Sequence, residues 1–291
     1  YSSAVFPDDN YVQAVVHHLT EFGVFGTMNL LDPANGGVLV SFTSEYTNST
    51  KALNLTDGNT VSYWRSKTMP PTNQAFVYAF TNYMGAVLTK AVFNSYGTYG
   101  SRDVEVLTSM NGIDYTPVAA GTLLDQETAQ EFVIGNATCR TVKLVISSGA
   151  TNEAWEMAEF AVQGTLTDDP DADGMSDAWE MQYFGDFSRD GTGDYDDEGL
   201  PDNQEDDFGT NPLLKDTDGD GQADWIESIA GTGGTNSLEY FSIRRTSPAT
   251  ASRDPLVLYW DSVTDRTYRL YIGRSLLGGW SNVLHVVGDG Q

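Results

Sequence analysis

Cysteine is almost missing. Cys139 is the only one in 291 residues, so no intrachain disulfide can form. In a chain expected to work outside the cell, this removes the usual staple and leaves metal ions as the substitute. Basic side chains are scarce as well. Fifteen Lys and Arg stand against 41 Asp and Glu, for a formal net charge of -26. Such a chain repels phosphates, which excludes nucleic acid as a partner. Three histidines and one cysteine offer no catalytic triad, and the adjacent His17 and His18 do not aim at one metal. No apolar run is long enough for a transmembrane segment. The chain opens at Tyr1 without a leader peptide and is expected to be a piece of a longer precursor.

What is present is 40% apolar residues, 12% aromatics, and abundant Tyr, Thr, Gly and Asn. A sizeable core can form, and the composition suits β-rich extracellular modules. Charge is uneven: residues 168–227 hold 21 acidic and 2 basic side chains, a net of -19. Four segments follow from these shifts. Residues 1–25 form an N-terminal extension whose YVQAVVHHLTEFG fits a helix or a strand. Residues 26–166 alternate apolar and polar between turn residues, as Val104 and Val106 or Val142, Leu144 and Ile146 do, which predicts an antiparallel β-sandwich. Residues 167–232 are a repeat dominated by Asp and Gly. Residues 233–291 return to alternation (Leu256, Leu258 and Trp260; Tyr268, Leu270 and Ile272) and predict a partial β-domain of immunoglobulin or fibronectin type. The expected class is mainly β: a jelly-roll sandwich, a calcium-loop segment with short helices, then a partial second sandwich.

The repeat follows the pattern D-x-[DN]-x-[DN]-G-x5-E. Residues 169–180 read DPDADGMSDAWE and 216–227 read DTDGDGQADWIE; 194–205 read DYDDEGLPDNQE, with Glu198 in place of the usual Asp. Calcium takes six to eight hard oxygens in a roughly spherical shell. Positions 1, 3 and 5 supply Asp169, Asp171 and Asp173; Asp194, Asp196 and Glu198; Asp216, Asp218 and Asp220. Glycine at position 6 permits the turn. Position 7 gives a carbonyl, from Met175, Leu200 or Gln222. Position 9 gives Asp177, Asp202 or Asp224, often through water. Glu180, Glu205 and Glu227 close the shell at position 12. Three calcium ions are expected. An acidic, solvated linker is the plainer explanation, but it does not account for three full sets of spaced carboxylates in sixty residues. After each glutamate a short tail ends in Gly185, Gly209 or Gly231, which predicts about one and a half helical turns with a glycine cap. The segment resembles thrombospondin type 3 calcium repeats, with dockerin loops as a cousin. The GTNP before DTDGDG is typical of bacterial versions.

Several strings in 26–164 resemble, in order, the discoidin or coagulation-factor type C family: GGVLVSFTSEY, LNLTDGNTVSYWRS, SRDVEVLTSMNGIDYTPV, TVKLVISS and EMAEFAVQG. The resemblance implies a jelly-roll sandwich that binds glycans, lipid head groups or proteins. It also implies one more calcium near Asp57, Glu159 and Ser62, where Ser62 replaces the usual threonine, and a core role for Trp64. Ligand contacts in the family come from loops at one end, which here hold Tyr46, Tyr99, Arg102 and Trp155. For any one of these, a packed or idle surface residue is the plainer role. Glu153, Glu156 and Glu159 look like an acid/base set but are better read as a rim loop and a structural ligand. The sequons at Asn48, Asn54 and Asn136 matter only in a glycosylating host.

The expected function is non-enzymatic: a secreted or cell-surface, bacterial, calcium-dependent module that recognises carbohydrate or mediates adhesion. The alternatives are a structural subunit of a filament, stalk or surface layer that self-assembles with like subunits, and a non-catalytic appendage of a polysaccharide-degrading enzyme.

Overall fold

The computed structural model describes residues 28–67, 71–124, 128–246, 257–260, 262–264, 266–272 and 281–287, with strand backbone at 2–6 and 11–15. The chain divides into two compact units, Tyr1–Ala172 with Ser176–Ala178, and Asp173–Met175 with Trp179–Gln291.

In the first unit, β1 (Ser2–Phe6) pairs antiparallel with β2 (Tyr11–Val15). The segment that fits either a helix or a strand is therefore a strand at 11–15; its continuation, with His17 and His18, lies outside the described residues. Two antiparallel sheets follow. One has β3 (Gly37–Phe42), β5 (Gln74–Phe80), β10 (Thr141–Ile146), β7 (Asp103–Ser109) and β8 (Thr116–Thr122), in that spatial order. The other has β4 (Trp64–Arg65), β11 (Glu156–Thr167), β6 (Gly85–Ser95) and β9 (Gln130–Cys139).

Alternation decides which residues turn inward. In β5, Gln74, Phe76, Tyr78 and Phe80 are buried while their neighbours are not. In β10 it is Val142, Leu144 and Ile146, and in β7 Val104 and Val106, as the sequence pattern predicts. Aromatic rings join the two sheets. Trp64 of β4 meets Phe76 of β5 edge-on at 4.9 Å, and Tyr78 of β5 faces Phe160 of β11 at 6.0 Å. The Trp64 indole N–H, which burial would otherwise orphan, donates to the Ser44 carbonyl at 2.7 Å. Each such ring contributes roughly 2–3 kcal/mol by leaving water. Cys139 lies in this core, and burial pushes its thiol up to about 12.

Strand β11 breaks the alternation at its start. Residues 156–160 are all buried, because the register against β6 slips between Met157 and Glu159. The slip is what carries the Glu159 carboxylate inward.

Three short helices follow: α1 (Asp177–Tyr183), α2 (Asp202–Phe208) and α3 (Asp224–Ala230). The capping glycines predicted from sequence take the left-handed backbone, with φ of 79° at Gly185, 82° at Gly209 and 82° at Gly231. In the second unit, β12 (Ile243–Thr246) pairs with β13 (Val257–Trp260), and β14 (Thr267–Ile272) with β15 (Ser281–Val287), both antiparallel. Leu256 lies outside the described residues. The Tyr268 ring lies 5.9 Å from Phe241 and 5.9 Å from Trp260. No described helix is long and apolar enough to cross a membrane.

Candidate functional sites

The three acidic loops repeat one backbone design. The N–H of position 9 donates to the carbonyl just before position 1 in each: Asp177 to Asp168 at 2.7 Å, Asp202 to Gly193 at 2.7 Å, Asp224 to Lys215 at 3.0 Å. Position 4 is left-handed in each, at Ala172, Asp197 and Gly219. So is the glycine at position 6, with φ of 91°, 115° and 99° at Gly174, Gly199 and Gly221. Only glycine takes that last conformation without strain, which is why the sequence spends a glycine there.

The side chains follow suit. The position-1 carboxylate accepts from the position-6 N–H: Asp194 from Gly199 at 2.8 Å, Asp216 from Gly221 at 2.9 Å. One oxygen of position 5 accepts from position 7: Asp173 from Met175 at 2.9 Å, Glu198 from Leu200 at 3.0 Å, Asp220 from Gln222 at 2.8 Å. These bonds tie the carboxylates at positions 1 and 5 to the backbone of their own loops.

Position 9 is also bonded within the protein. Asp224 accepts from both the N–H and the hydroxyl of Thr217, at 2.9 and 2.7 Å. Asp202 accepts the Tyr195 N–H at 3.0 Å and pairs with Arg189 at 2.5 Å. Arg189 in turn lies over the rings of Phe184 and Tyr195. In the first loop position 2 is Pro170, which has no N–H, and Arg140 pairs with Asp177 and, at 3.0 Å, with Asp171. Asp177, Asp202 and Asp224 therefore tie their loops shut with bonds inside the protein.

What remains is a set of buried carboxylate oxygens without donors. Both oxygens of Asp196 and one each of Glu205, Asp218, Asp220 and Glu227 are buried with no hydrogen-bond partner. Carboxylate oxygens of Asp216, Asp218 and Asp220 gather within 4.8 Å of one another. Glu180, Glu205 and Glu227 are all fully buried. Burial first, then the neighbouring carboxylates Asp196, Asp202, Asp224 and Glu198, push Glu205 up to about 8. Burial and Asp218 push Glu227 up to about 7, and burial and Asp194 push Asp196 up to about 6. A hard divalent cation is the group this donor set fits, since it supplies positive charge and takes oxygen ligands without needing hydrogens.

A second acidic site lies in the sandwich. The Ser62 hydroxyl donates to Asp57 at 2.7 Å, and Glu159 accepts the Asn59 N–H at 2.8 Å. Burial, then Asp57 alongside, raises Glu159 to about 8. The three residues that the sequence resemblance singled out thus meet across 100 residues of chain. Two carboxylates side by side suit a cation here too.

Tyr46 and Tyr99 meet around one side chain that the sequence reading did not single out: the Arg65 guanidinium lies over both rings, at 5.1 and 5.0 Å, and pairs with buried Glu156 at 3.1 Å. Tyr63 stacks on Tyr96 at 3.9 Å. A cleft of about 410 Å³ opens beside them, lined by Thr60, Val61, Asn94, Ser95, Tyr96 and Ala158. Arg102 instead donates to the Leu123 carbonyl at 3.1 Å. Trp155 corrects the expectation most clearly. It is 6% exposed, its indole N–H donates to the Thr151 carbonyl at 3.3 Å, and any Cβ at Gly149 would collide with its ring. It packs in the core and offers no face for stacking. The adjacent Ala-Trp-Glu carries no periodic signal that would have shown this.

No family model matches this chain, and no curated protein does. Among solved structures it is similar to the C-terminal domain of a chitobiase from Bacteroides fragilis, at 22% identity over 45% of this chain and 95% of that one, TM-score 0.41. It is also similar to a family 32 carbohydrate-binding module from Clostridium perfringens solved with galactose, at 19% identity over 45% and 93%, TM-score 0.38. A putative chitobiase fragment from Bacteroides thetaiotaomicron is similar at 13% identity over 50% and 96%, TM-score 0.42.

Proposed function

We propose that this chain is a non-enzymatic, extracellular binding module of bacterial type. Its segment 167–232 takes calcium, and its β-sandwich recognises carbohydrate. The observation that carries the reading is the row of buried carboxylates without donors at loop positions 3, 5 and 12. A protein does not bury unpaired negative charge at this density unless a counter-ion balances it. Asp196 and Glu205 would hold an ion in the second loop, and Asp218, Asp220 and Glu227 one in the third. The likeness in sequence to thrombospondin type 3 repeats agrees with this. Such extracellular sites bind calcium at about 0.1 to 1 mM. An ion beside Asp57 and Glu159 would stiffen the loop that borders the cleft.

The glycan half rests on the sequence resemblance to discoidin modules and on the loop end itself. Sugars are held by aromatic faces with polar groups around them. Tyr46, Tyr99, Tyr63 and Tyr96 supply rings, and Arg65, Asn94 and Thr60 supply donors and acceptors. The experiment is a glycan array probed with the calcium-loaded chain, repeated with Arg65→Ala. Retention that Arg65→Ala abolishes supports the reading. An array with no retained glycan moves the weight to a structural subunit that binds its own kind.

A further inference from the structure

Position 5 is where the second and third loops part. In both, one carboxylate oxygen accepts the N–H of position 7, Glu198 from Leu200 at 3.0 Å and Asp220 from Gln222 at 2.8 Å. The other oxygen of Asp220 is buried without a partner. The other oxygen of Glu198 is not available in that way. It accepts the N–H of Trp225 at 3.0 Å, 27 residues along the chain. Trp225 is the second residue of α3, which carries Glu227. The extra methylene that sets Glu198 apart from the usual aspartate is what lets it reach.

A second link runs the other way. The Lys215 ammonium, one residue before the third loop begins, donates to the Asp197 carbonyl of the second loop at 2.6 Å. The Trp225 ring also lies against Gly199, where an added Cβ would stand 3.5 Å from it. The two loops are thus braced at both ends, through residues adjacent to their ion-facing oxygens.

We infer that Glu198 is a positioning residue that couples the cation sites of the second and third loops, so that they fill cooperatively. The inference rests on the calcium reading above. An ion held by Asp218, Asp220 and Glu227 fixes the start of α3. That fixes the Trp225 N–H, and with it the carboxylate of Glu198 and the turn that presents the Leu200 carbonyl. The second loop then binds without the ordering cost it would otherwise carry. By linkage the effect is reciprocal: an ion in the second loop strengthens the third by the same factor.

The test is calorimetric titration of the full chain with calcium chloride. The constant belonging to the second loop is the one that Glu205→Ala abolishes. In the wild type, Glu227→Ala is expected to remove the third site and to weaken the second by roughly fivefold or more. With Glu198→Asp, too short to reach Trp225, Glu227→Ala is expected to weaken the second constant by clearly less than about fivefold, the lower end of typical coupling. Glu198→Gln keeps the length but has a single acceptor for two N–H groups, and its coupling is expected to fall between. Equal weakening of the second site in the wild type and in both Glu198 variants overturns the inference, as does a second constant that never responds to Glu227→Ala. Both outcomes leave calcium binding intact. A wild type that takes up no calcium overturns the calcium reading and the inference together.

Discussion

The sandwich and the acidic loops answer the same physical problem in opposite ways. The sandwich is held by apolar side chains from two sheets, with Phe76, Tyr78, Phe93 and Phe160 fully or almost fully buried. Its buried carboxylates are Glu156, paired with Arg65, and Glu159, beside Asp57. The loop segment buries carboxylates instead: Asp202, Glu205, Asp224 and Glu227 are as inaccessible as the core rings. Its few buried apolar side chains include Met175 and Leu200. On the reading proposed above, a cation completes the second region. The contrast shows that burial alone does not define a core. What matters is whether the buried groups have found partners.

The largest effect should come from removing divalent ions. In chelator at pH 8, segment 168–232 is expected to open and be cut by protease, while 28–167 survives as a fragment visible on a gel. Equal cutting with and without calcium breaks the contrast.

Next is acidity. Glu205 and Glu227 carry raised folded values, near 8 and 7. Their unfolded values lie near 4.3, so in chelator they favour folding below pH 4, and that contribution is lost as pH rises through about 7 to 8. Melting of the second unit in chelator should therefore fall between pH 5 and pH 8. Saturating calcium should abolish the trend, and two-wavelength melts at both pH values check it.

Single side chains sharpen the comparison further. Trp155→Ala should lower the stability of the sandwich by roughly 3 kcal/mol or more, as for other buried aromatics. Calcium should not rescue it, and a variant that keeps its melting temperature would return Trp155 to the surface. The smallest expected effect is at position 4 of the loops. Ala172 and Asp197 hold left-handed backbone with φ of 59°, where the third loop uses Gly219. Ala172→Gly and Asp197→Gly should each stabilise the calcium-loaded chain by up to about 1 kcal/mol, read from chelator-free denaturant melts.

Much of this was legible in the sequence, for identifiable reasons. The loops are local, so every carboxylate of a motif lies within twelve residues of the others and spacing reveals the set. The strands are half local: period-two alternation located the buried faces of β7 and β10, but pairing across a hundred residues is invisible to it. What the sequence concealed was the use of its scarce cations. Arg140, Arg189 and Arg65 each pair with a buried carboxylate, and a chain read one window at a time gives no sign of which acid each will meet. The bonds that position 9 makes were hidden for the same reason, since Asp177 and Asp202 meet arginines outside the motif. Glu198 stood out as the one irregular letter in its loop, yet its bond to Trp225 depends on how two repeats stack.

The lone thiol of Cys139 has a practical consequence. It sits in β9 with no exposed surface, and its reluctance to ionise makes it inert to alkylating reagents while the strand is in place. The rate at which such a reagent labels this chain therefore clocks the opening of the sandwich and of nothing else. Run beside a calcium titration, that clock separates the two halves of the molecule without a fragment having to be made.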